Sequence, residues 1–148
     1  MADDSSTVAF VCVQNAGRSQ MATAYAEQER EARDLEDIVE IHSGGTHPAD
    51  EVHPIVVEAM AEEGIEMADR EPQSISDETL AGCDYVATMG CSTLELDADG
   101  DSDVDVRDWD LEDPHEKEIE EVRKVRAEVK RRVQKLFDEL EAAVGRVR

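Results

Sequence analysis

The sequence contains few aromatic residues and few lysines. Aromatic side chains make up 3% of the 148 residues, and only four of the 15 basic residues are lysines. So few aromatic rings offer little surface on which the bases of single-stranded nucleic acid could stack. The core must instead be built mainly from aliphatic residues, and a hydrophobic content of 40% is enough to fill one. We therefore expect a single folded domain over residues 1–148.

Positive charge is also scarce. The chain has 38 acidic and 15 basic residues, a formal net charge of −23, and its carboxylates are spread along the whole length. Such a field repels phosphate backbones, so no nucleic-acid partner is expected. A dispersed acidic surface that is poor in lysine is typical of adaptation to high salt, where repulsion between carboxylates is screened. An ordinary acidic protein of low isoelectric point is the alternative.

Long hydrophobic runs are missing as well. No run approaches the roughly 18 apolar residues that span a membrane, and the first residues lack the basic and apolar regions of a signal peptide. We therefore expect a cytoplasmic protein with no membrane partner. Its three cysteines, an odd number, predict free thiols rather than a disulfide framework. The histidines show no metal-ligand spacing with them, so no metal is expected; they are His42, His47, His53 and His115.

Short apolar runs alternate with amphipathic segments along the chain. This alternation predicts an α/β fold, in which right-handed crossovers build a single three-layer domain. Its four-stranded parallel sheet would carry helices on both faces. Strands are predicted at 7–13, 38–41, 85–89 and, within an Asp-rich loop, 104–107, and helices at 19–35, 54–64, 76–82 and 115–144. Residues 43–45 (Ser-Gly-Gly) are expected to form a turn that closes the second strand.

The segment at residues 12–19, Cys-Val-Gln-Asn-Ala-Gly-Arg-Ser, leaves a buried strand and enters a helix. Backbone N–H groups and the positive end of the helix dipole make such a turn an anion site. Arg18 adds a planar fork of donors. The same donors stabilise a thiolate, so Cys12 is predicted to be a nucleophile. The candidate oxyanion-binding residues are Val13, Gln14, Asn15, Ala16, Gly17, Arg18 and Ser19.

Two side chains of this loop have further predicted roles. Ser19 is placed to hydrogen-bond the sulfur of Cys12, and Asn15 to hold the loop's backbone through local bonds. In the alternative interpretation Cys12 merely ends a buried strand and Arg18 is a surface charge. The position of the loop, after an apolar strand and before a helix, favours the chemical interpretation.

Residues 10–22, Phe-Val-Cys-Val-Gln-Asn-Ala-Gly-Arg-Ser-Gln-Met-Ala, resemble the signature of the low-molecular-weight protein tyrosine phosphatase superfamily. Within it, Arg-Ser-Gln-Met-Ala is similar to the thioredoxin-coupled arsenate reductases; the phosphatases proper usually carry proline where Gln20 stands. Further similar blocks follow in family order over about residues 7–115. They lie at 43–49, 53–54, 63–65, 88–91 and 109–114.

The resemblance implies an arsenate reductase and assigns roles to its residues. Asp113 would be the acid that protonates the departing oxygen, with Asp108 and Asp110 as the runners-up. Cys91 would attack the thiol–arsenate adduct on Cys12, which releases arsenite and leaves a disulfide. The alternative for Cys91 is a small apolar residue packed under a loop.

The sequence departs from the thioredoxin-coupled pattern at one point. That family carries a further cysteine shortly after the position of Cys91, and residues 92–99 contain none. Cys83 precedes the third strand and is interpreted as a structural thiol. Two simpler routes stay open: a Cys12–Cys91 disulfide that is reduced directly, or an external small thiol that resolves the Cys12 adduct. The reductant would be an external thiol, either a thioredoxin-like protein or a small thiol, and no other cofactor is expected.

Two other functions remain open. A protein tyrosine phosphatase would use Cys12, Arg18 and Asp113 through a phosphocysteine, but the low aromatic content offers a phosphotyrosine ring little to stack on. A non-catalytic module could bind an oxyanion or sense redox state through a reversible Cys12–Cys91 disulfide.

Overall fold

The computed structural model describes residues 6–12, 15, 17–45, 48–67, 69–89, 105–109 and 117–147. These residues form four strands and four helices. In chain order they are β1 (Ser6–Cys12), α1 (Arg18–Ala32), β2 (Val39–Gly45), α2 (Pro54–Ala61), α3 (Asp77–Ala81), β3 (Tyr85–Met89), β4 (Asp105–Asp108) and α4 (Ile119–Val147).

The described strands form one parallel sheet in the order β2-β1-β3-β4, which confirms the α/β class. The apolar run of β1 lies in the middle, as expected of a strand covered on both faces. Cys12, the last residue of β1, pairs with Gly45 of β2 and with Met89 of β3. The carboxyl ends of three strands therefore meet at one edge, where ligands bind in folds of this class.

The two faces of β1 bury alternate residues against different helices. Val8, Phe10 and Cys12 belong to the larger core, which includes apolar residues of α1, α2 and α4. Ala9 and Val11 face the other way and pack with residues around α3. This division follows from the two-residue period of a strand. It gives the described sheet helices on both faces.

The prediction of a turn at residues 43–45 is wrong, because these residues are the last three of β2. Gly44 is required there for packing rather than for turning. A Cβ atom at Gly44 would lie 2.4 Å from the Cβ atom of Ile75. The strand also gains a partner beyond β1, since Gly45 forms a parallel bridge with Ser74.

The helix boundaries follow local signals. Helix α1 ends at Ala32, three residues before its predicted end, and Asp34 adopts a left-handed φ of 56° just after it. Pro54 begins α2, as predicted. Ser76 caps α3 by accepting a hydrogen bond from the backbone N–H of Thr79 at 3.0 Å.

Helix α4 begins at Ile119 and is amphipathic over its length. Its buried residues recur at steps of three and four, as predicted; they include Val122, Val125, Val129, Val133, Leu136, Phe137 and Leu140. Among the described residues, no helix is both long and apolar enough to cross a membrane.

Candidate active site

Strand β1 brings Cys12 to the ligand-binding edge of the sheet. The side chain is buried, with 2% of its surface exposed. Two donors nevertheless reach its sulfur. The backbone N–H of Asn15 donates to Sγ at 3.2 Å, and the hydroxyl oxygen of Ser19 lies 2.9 Å from Sγ. Both groups can stabilise a negative charge on the sulfur, which is the chemistry that a nucleophilic cysteine requires.

Asn15 orients the hydroxyl of Ser19. It is fully buried and adopts a left-handed φ of 52°, a conformation that Asn tolerates better than most residues. Its Nδ2 donates to the Oγ atoms of Ser19 and Ser43, at 2.7 and 2.8 Å. The Ser19 oxygen accepts this hydrogen, and when Cys12 is a thiolate the proton of Ser19 must be the one that joins the two side chains.

Two glutamines bind the side-chain oxygen of Asn15. Its Oδ1 accepts hydrogen bonds from Nε2 of Gln20 at 3.0 Å and from the backbone N–H of Gln73 at 2.9 Å. Gln73 also donates from its side chain to the carbonyl oxygen of Ser43 at 2.8 Å. We call Asn15, Ser19, Gln20, Ser43 and Gln73 the Asn15 network. All four hydrogen-bonding positions of the Asn15 amide are occupied within it.

Helix α1 begins directly beside the sulfur. Gly17 precedes it, no described side chain caps its first N–H groups, and its first turn contains no acidic residue. The positive end of the helix dipole is therefore not neutralised within that turn. Arg18, the first helical residue, is 8% exposed and lies at this end. The arrangement can hold a tetrahedral anion against Cys12.

The structure brings together five of the predicted site residues at this edge: Cys12, Asn15, Gly17, Arg18 and Ser19. The others lie outside the described residues; they are Val13, Gln14, Ala16, Cys91, Asp110 and Asp113. Asp108 is the last residue of β4. Trp109 follows it, donates from its backbone to the carbonyl oxygen of Thr88 at 2.7 Å, and packs its ring 5.8 Å from that of Phe10. Trp109, the last described residue before Asp113 in the chain, therefore lies near the end of β1.

Cys83 lies at the other end of the sheet. It precedes β3, whose first residue pairs with Val8, near the start of β1. Its thiol donates to the carbonyl oxygen of Thr79 at 3.3 Å. Burial, together with the charges of Asp84 and Glu40, raises the pKa of this thiol to about 11. Cys83 is thus a protonated, buried thiol at neutral pH.

Sequence reasoning missed the parts played by Gln20 and Gln73. In the sequence alone, Gln20 only distinguishes the arsenate reductases from the phosphatases, which usually carry proline at this position. Gln73 lies 58 residues from Asn15, the residue that it contacts, and no local pattern relates the two. Of the four histidines, the structure describes His42 and His53, and Nε2 of His42 lies 2.6 Å from a carboxylate oxygen of Glu40. Among the described residues, no group of three or more His, Cys, Asp or Glu side chains could hold a metal.

Comparison with known proteins identifies relatives that match most of the chain. The family model of low molecular weight phosphotyrosine protein phosphatases matches residues 7–146. A protein of Halobacterium salinarum, which carries the provisional name of arsenate reductase, is 61% identical over 138 residues. That match covers 93% of this chain and 95% of the relative.

Solved structures give the same picture. A thioredoxin-dependent arsenate reductase of Corynebacterium glutamicum superposes with a TM-score of 0.74 at 31% identity. The match covers 97% of this chain but only 65% of that protein, which is therefore considerably longer. An arsenate reductase solved in a phosphate-binding state superposes with a TM-score of 0.75 at 30% identity, over 91% of this chain and 98% of the other. The resemblance to arsenate reductases of this superfamily is thereby confirmed.

Proposed function

Because the chain belongs to the low molecular weight phosphotyrosine protein phosphatase family, we propose that it is an arsenate reductase. The observation that carries the proposal is the relative from Halobacterium salinarum, 61% identical over nearly its whole length. That relative's source also fits the composition expected of adaptation to high salt. We further propose that residues 1–148 form a single domain, whose four-stranded sheet with helices on both faces supports the site.

The first proposed step is nucleophilic attack by Cys12 on arsenate. A bond forms between sulfur and arsenic, and one oxygen leaves arsenic as water after a proton reaches it. Arg18 and the amides of residues 13–17 would hold the remaining oxygens. The donors described on the sulfur, from Asn15 and Ser19, support a thiolate at the start. Asp113 is our candidate for the proton donor.

The second proposed step returns arsenic to solution. The thiolate of Cys91 attacks the sulfur of Cys12, a disulfide forms, and the electron pair of the sulfur–arsenic bond passes to arsenic. Arsenic is reduced from the +5 to the +3 state, arsenite leaves, and two thiols are oxidised. An external thiol could replace Cys91 in this attack. The chain has no cysteine after Cys91 that would continue a relay.

An external thiol reductant must then reduce the oxidised enzyme. A thioredoxin-like protein is our first candidate, since the Corynebacterium relative is thioredoxin-dependent; a small thiol is the second. Either reductant requires a reducing compartment, so we propose that the protein works in the cytoplasm.

A phosphatase is the second candidate, because the matching family model describes phosphotyrosine phosphatases. It would use Cys12, Arg18 and Asp113 to form and hydrolyse a phosphocysteine, and it would not need Cys91.

The deciding experiment measures arsenite formation and p-nitrophenyl phosphate hydrolysis in molar potassium chloride. Wild type, Cys91→Ser and the matched control Cys83→Ser are each supplied with either the thioredoxin system or glutathione. For a reductase that uses Cys91, we expect Cys91→Ser to lose thioredoxin-supported arsenite formation and to keep any ester hydrolysis, whereas Cys83→Ser keeps both. If glutathione restores Cys91→Ser, an external thiol resolves the adduct.

Two results would contradict the proposal. Ester hydrolysis without arsenite formation, indifferent to Cys91→Ser, would identify a phosphatase. No turnover of either substrate, together with phosphate binding or a reversible disulfide, would identify a binding or redox-sensing module.

A further inference from the structure

We infer that Gln20 is a positioning residue for the nucleophile, which it controls through Asn15 and Ser19. The inference rests on the proposed function only in taking Cys12 as the nucleophile. Gln20 does not contact the sulfur, and its influence follows from the groups that its amide binds.

Gln20 fixes Asn15 at two points. Its Nε2 lies 3.0 Å from the Oδ1 atom of Asn15 and 3.0 Å from the backbone carbonyl oxygen of the same residue. One amide therefore holds both the side chain and the main chain of a residue in a left-handed conformation. Gln20 is 4% exposed, so water does not readily replace these bonds.

The position of Gln20 joins the loop to a distant segment. Its Nε2 also lies 3.4 Å from the carbonyl oxygen of Glu71. Two residues later, the backbone of Gln73 donates to Asn15, while its carbonyl oxygen accepts from the N–H of Gly45. The loop after β1 is thus held from α1 on one side and from residues 71–73 on the other.

The direction of the hydrogen bonds links Gln20 to the sulfur. Donation to Oδ1 fixes which end of the Asn15 amide faces the glutamines, so Nδ2 must face Ser19. Ser19 accepts from Nδ2 and can then donate its own proton to a thiolate at Cys12. If Asn15 could rotate, the Ser19 hydroxyl could instead point away from the sulfur, and the thiolate would lose a donor.

Of the two glutamines that bind Asn15, Gln20 is the one whose role substitution can test. Gln73 donates to Asn15 from its backbone, which any side chain leaves in place. Gln20→Met keeps the length of the side chain and removes only its hydrogen-bonding groups. Gln28→Met is the matched control, because Gln28 lies on the same helix and is exposed.

The test measures the rate at which iodoacetamide alkylates Cys12, across a range of pH, by mass spectrometry of the Cys12 peptide. The thiolate is the reacting form, so the profile reports how well the site stabilises it. We expect the midpoint of the Gln20→Met profile to lie about one pH unit higher, which lowers the rate about tenfold at pH values below the midpoint. Gln28→Met should match the wild type.

Two further measurements separate positioning from a general loss of structure. Inorganic phosphate should protect Cys12 of Gln20→Met as well as it protects the wild type, because other donors hold the anion. Gln20→Glu keeps the shape of the side chain but turns an acceptor to Asn15 when ionised. Its alkylation rate relative to wild type should therefore fall as the introduced carboxyl loses its proton, and should recover at lower pH.

The possible results all bear on the inference. An unchanged midpoint in Gln20→Met, with Ser19→Ala shifting it, would show that Gln20 only fills space. Loss of phosphate protection together with reactivity would also overturn the inference, because the loop itself would have collapsed. If Gln20→Met does not fold, the alkylation rate of Gln20→Glu relative to wild type tests the inference, and a ratio that does not change with pH would overturn it. If wild-type Cys12 is unreactive throughout, the proposed function fails instead.

Discussion

The two described cysteines are both buried, yet their surroundings differ in polarity. Cys12 lies at the carboxyl edge of the sheet, where Asn15 and Ser19 direct donors to its sulfur. Cys83 lies at the opposite end of the sheet, where its thiol acts as the donor, and burial together with nearby carboxylates raises its pKa to about 11. Burial alone therefore does not determine the reactivity of a thiol. The charges and the direction of the hydrogen bonds around it contribute as well.

Replacing each of the two cysteines by serine should give the largest difference in activity. We expect Cys12→Ser to lose at least about 10³-fold in arsenite formation, since the displacement has no other nucleophile. Cys83→Ser should stay within about twofold of the wild type, because a serine hydroxyl can still donate to Thr79. Steady-state assays in molar potassium chloride would measure both. Equal losses would remove the distinction between the two sites.

Ser19→Ala should make Cys12 resemble Cys83 by removing a donor. A hydrogen bond to a charged group contributes about 1.5–3 kcal/mol, so alkylation of Cys12 near neutral pH should slow by roughly 10- to 100-fold. Ser19→Thr keeps the hydroxyl and serves as the control. If Ser19→Ala reacts at the wild-type rate, the 2.9 Å contact does not stabilise the thiolate.

The glycines near the two thiols should also respond differently. A Cβ atom at Gly44, in the strand beside Cys12, would lie 2.4 Å from that of Ile75, whereas at Gly82 the nearest atom would be 3.6 Å away. We expect Gly44→Ala to lower the free energy of unfolding by about 1–3 kcal/mol. Gly82→Ala should be neutral or slightly stabilising, as Gly82 has a helical φ of −87°. Urea unfolding of both variants tests the difference.

The smallest expected effect concerns stability at alkaline pH. The pKa of Cys83 is about 11 in the folded protein and about 9 when unperturbed, so the folded state favours the protonated thiol. The resulting stabilisation is complete below pH 9 and is lost as the pH rises to 11, with about 1.4 kcal/mol lost by pH 10. Cys83→Ser should therefore lose less stability than the wild type between pH 8 and 10. Parallel loss in both proteins would contradict this account.

Local patterns in the sequence were sufficient for much of the fold and for the centre of the site. The apolar run of β1 and the small residues after it predict a strand, a turn and a helix start, and Cys12, Arg18 and Ser19 follow from that order. The same reasoning mistook Ser43 and its two glycines for a turn. The bridge that Gly45 forms with Ser74 joins residues 29 positions apart, and local pattern does not report it.

The rest of the site depends on contacts between distant segments. Gln73 reaches Asn15 across 58 residues with a backbone N–H, a group that every residue except proline carries, so its identity gives no signal. The roles of Asp113 and Cys91 stay predictions that follow from the resemblance.

The Asn15 network has a consequence for ionic strength. Its described bonds join uncharged groups over 2.7–3.0 Å, and all of these groups except Gln73 belong to buried or half-buried residues, whereas the exposed pairs that join the end of α2 to α4, such as Arg123 with Glu62, carry full charges. Dissolved ions screen the exposed pairs strongly, because the Debye length falls to about 3 Å in molar salt. They have little access to the buried bonds. Changes of external salinity should therefore alter how firmly α2 is attached to α4 while leaving the orientation of the nucleophile unchanged.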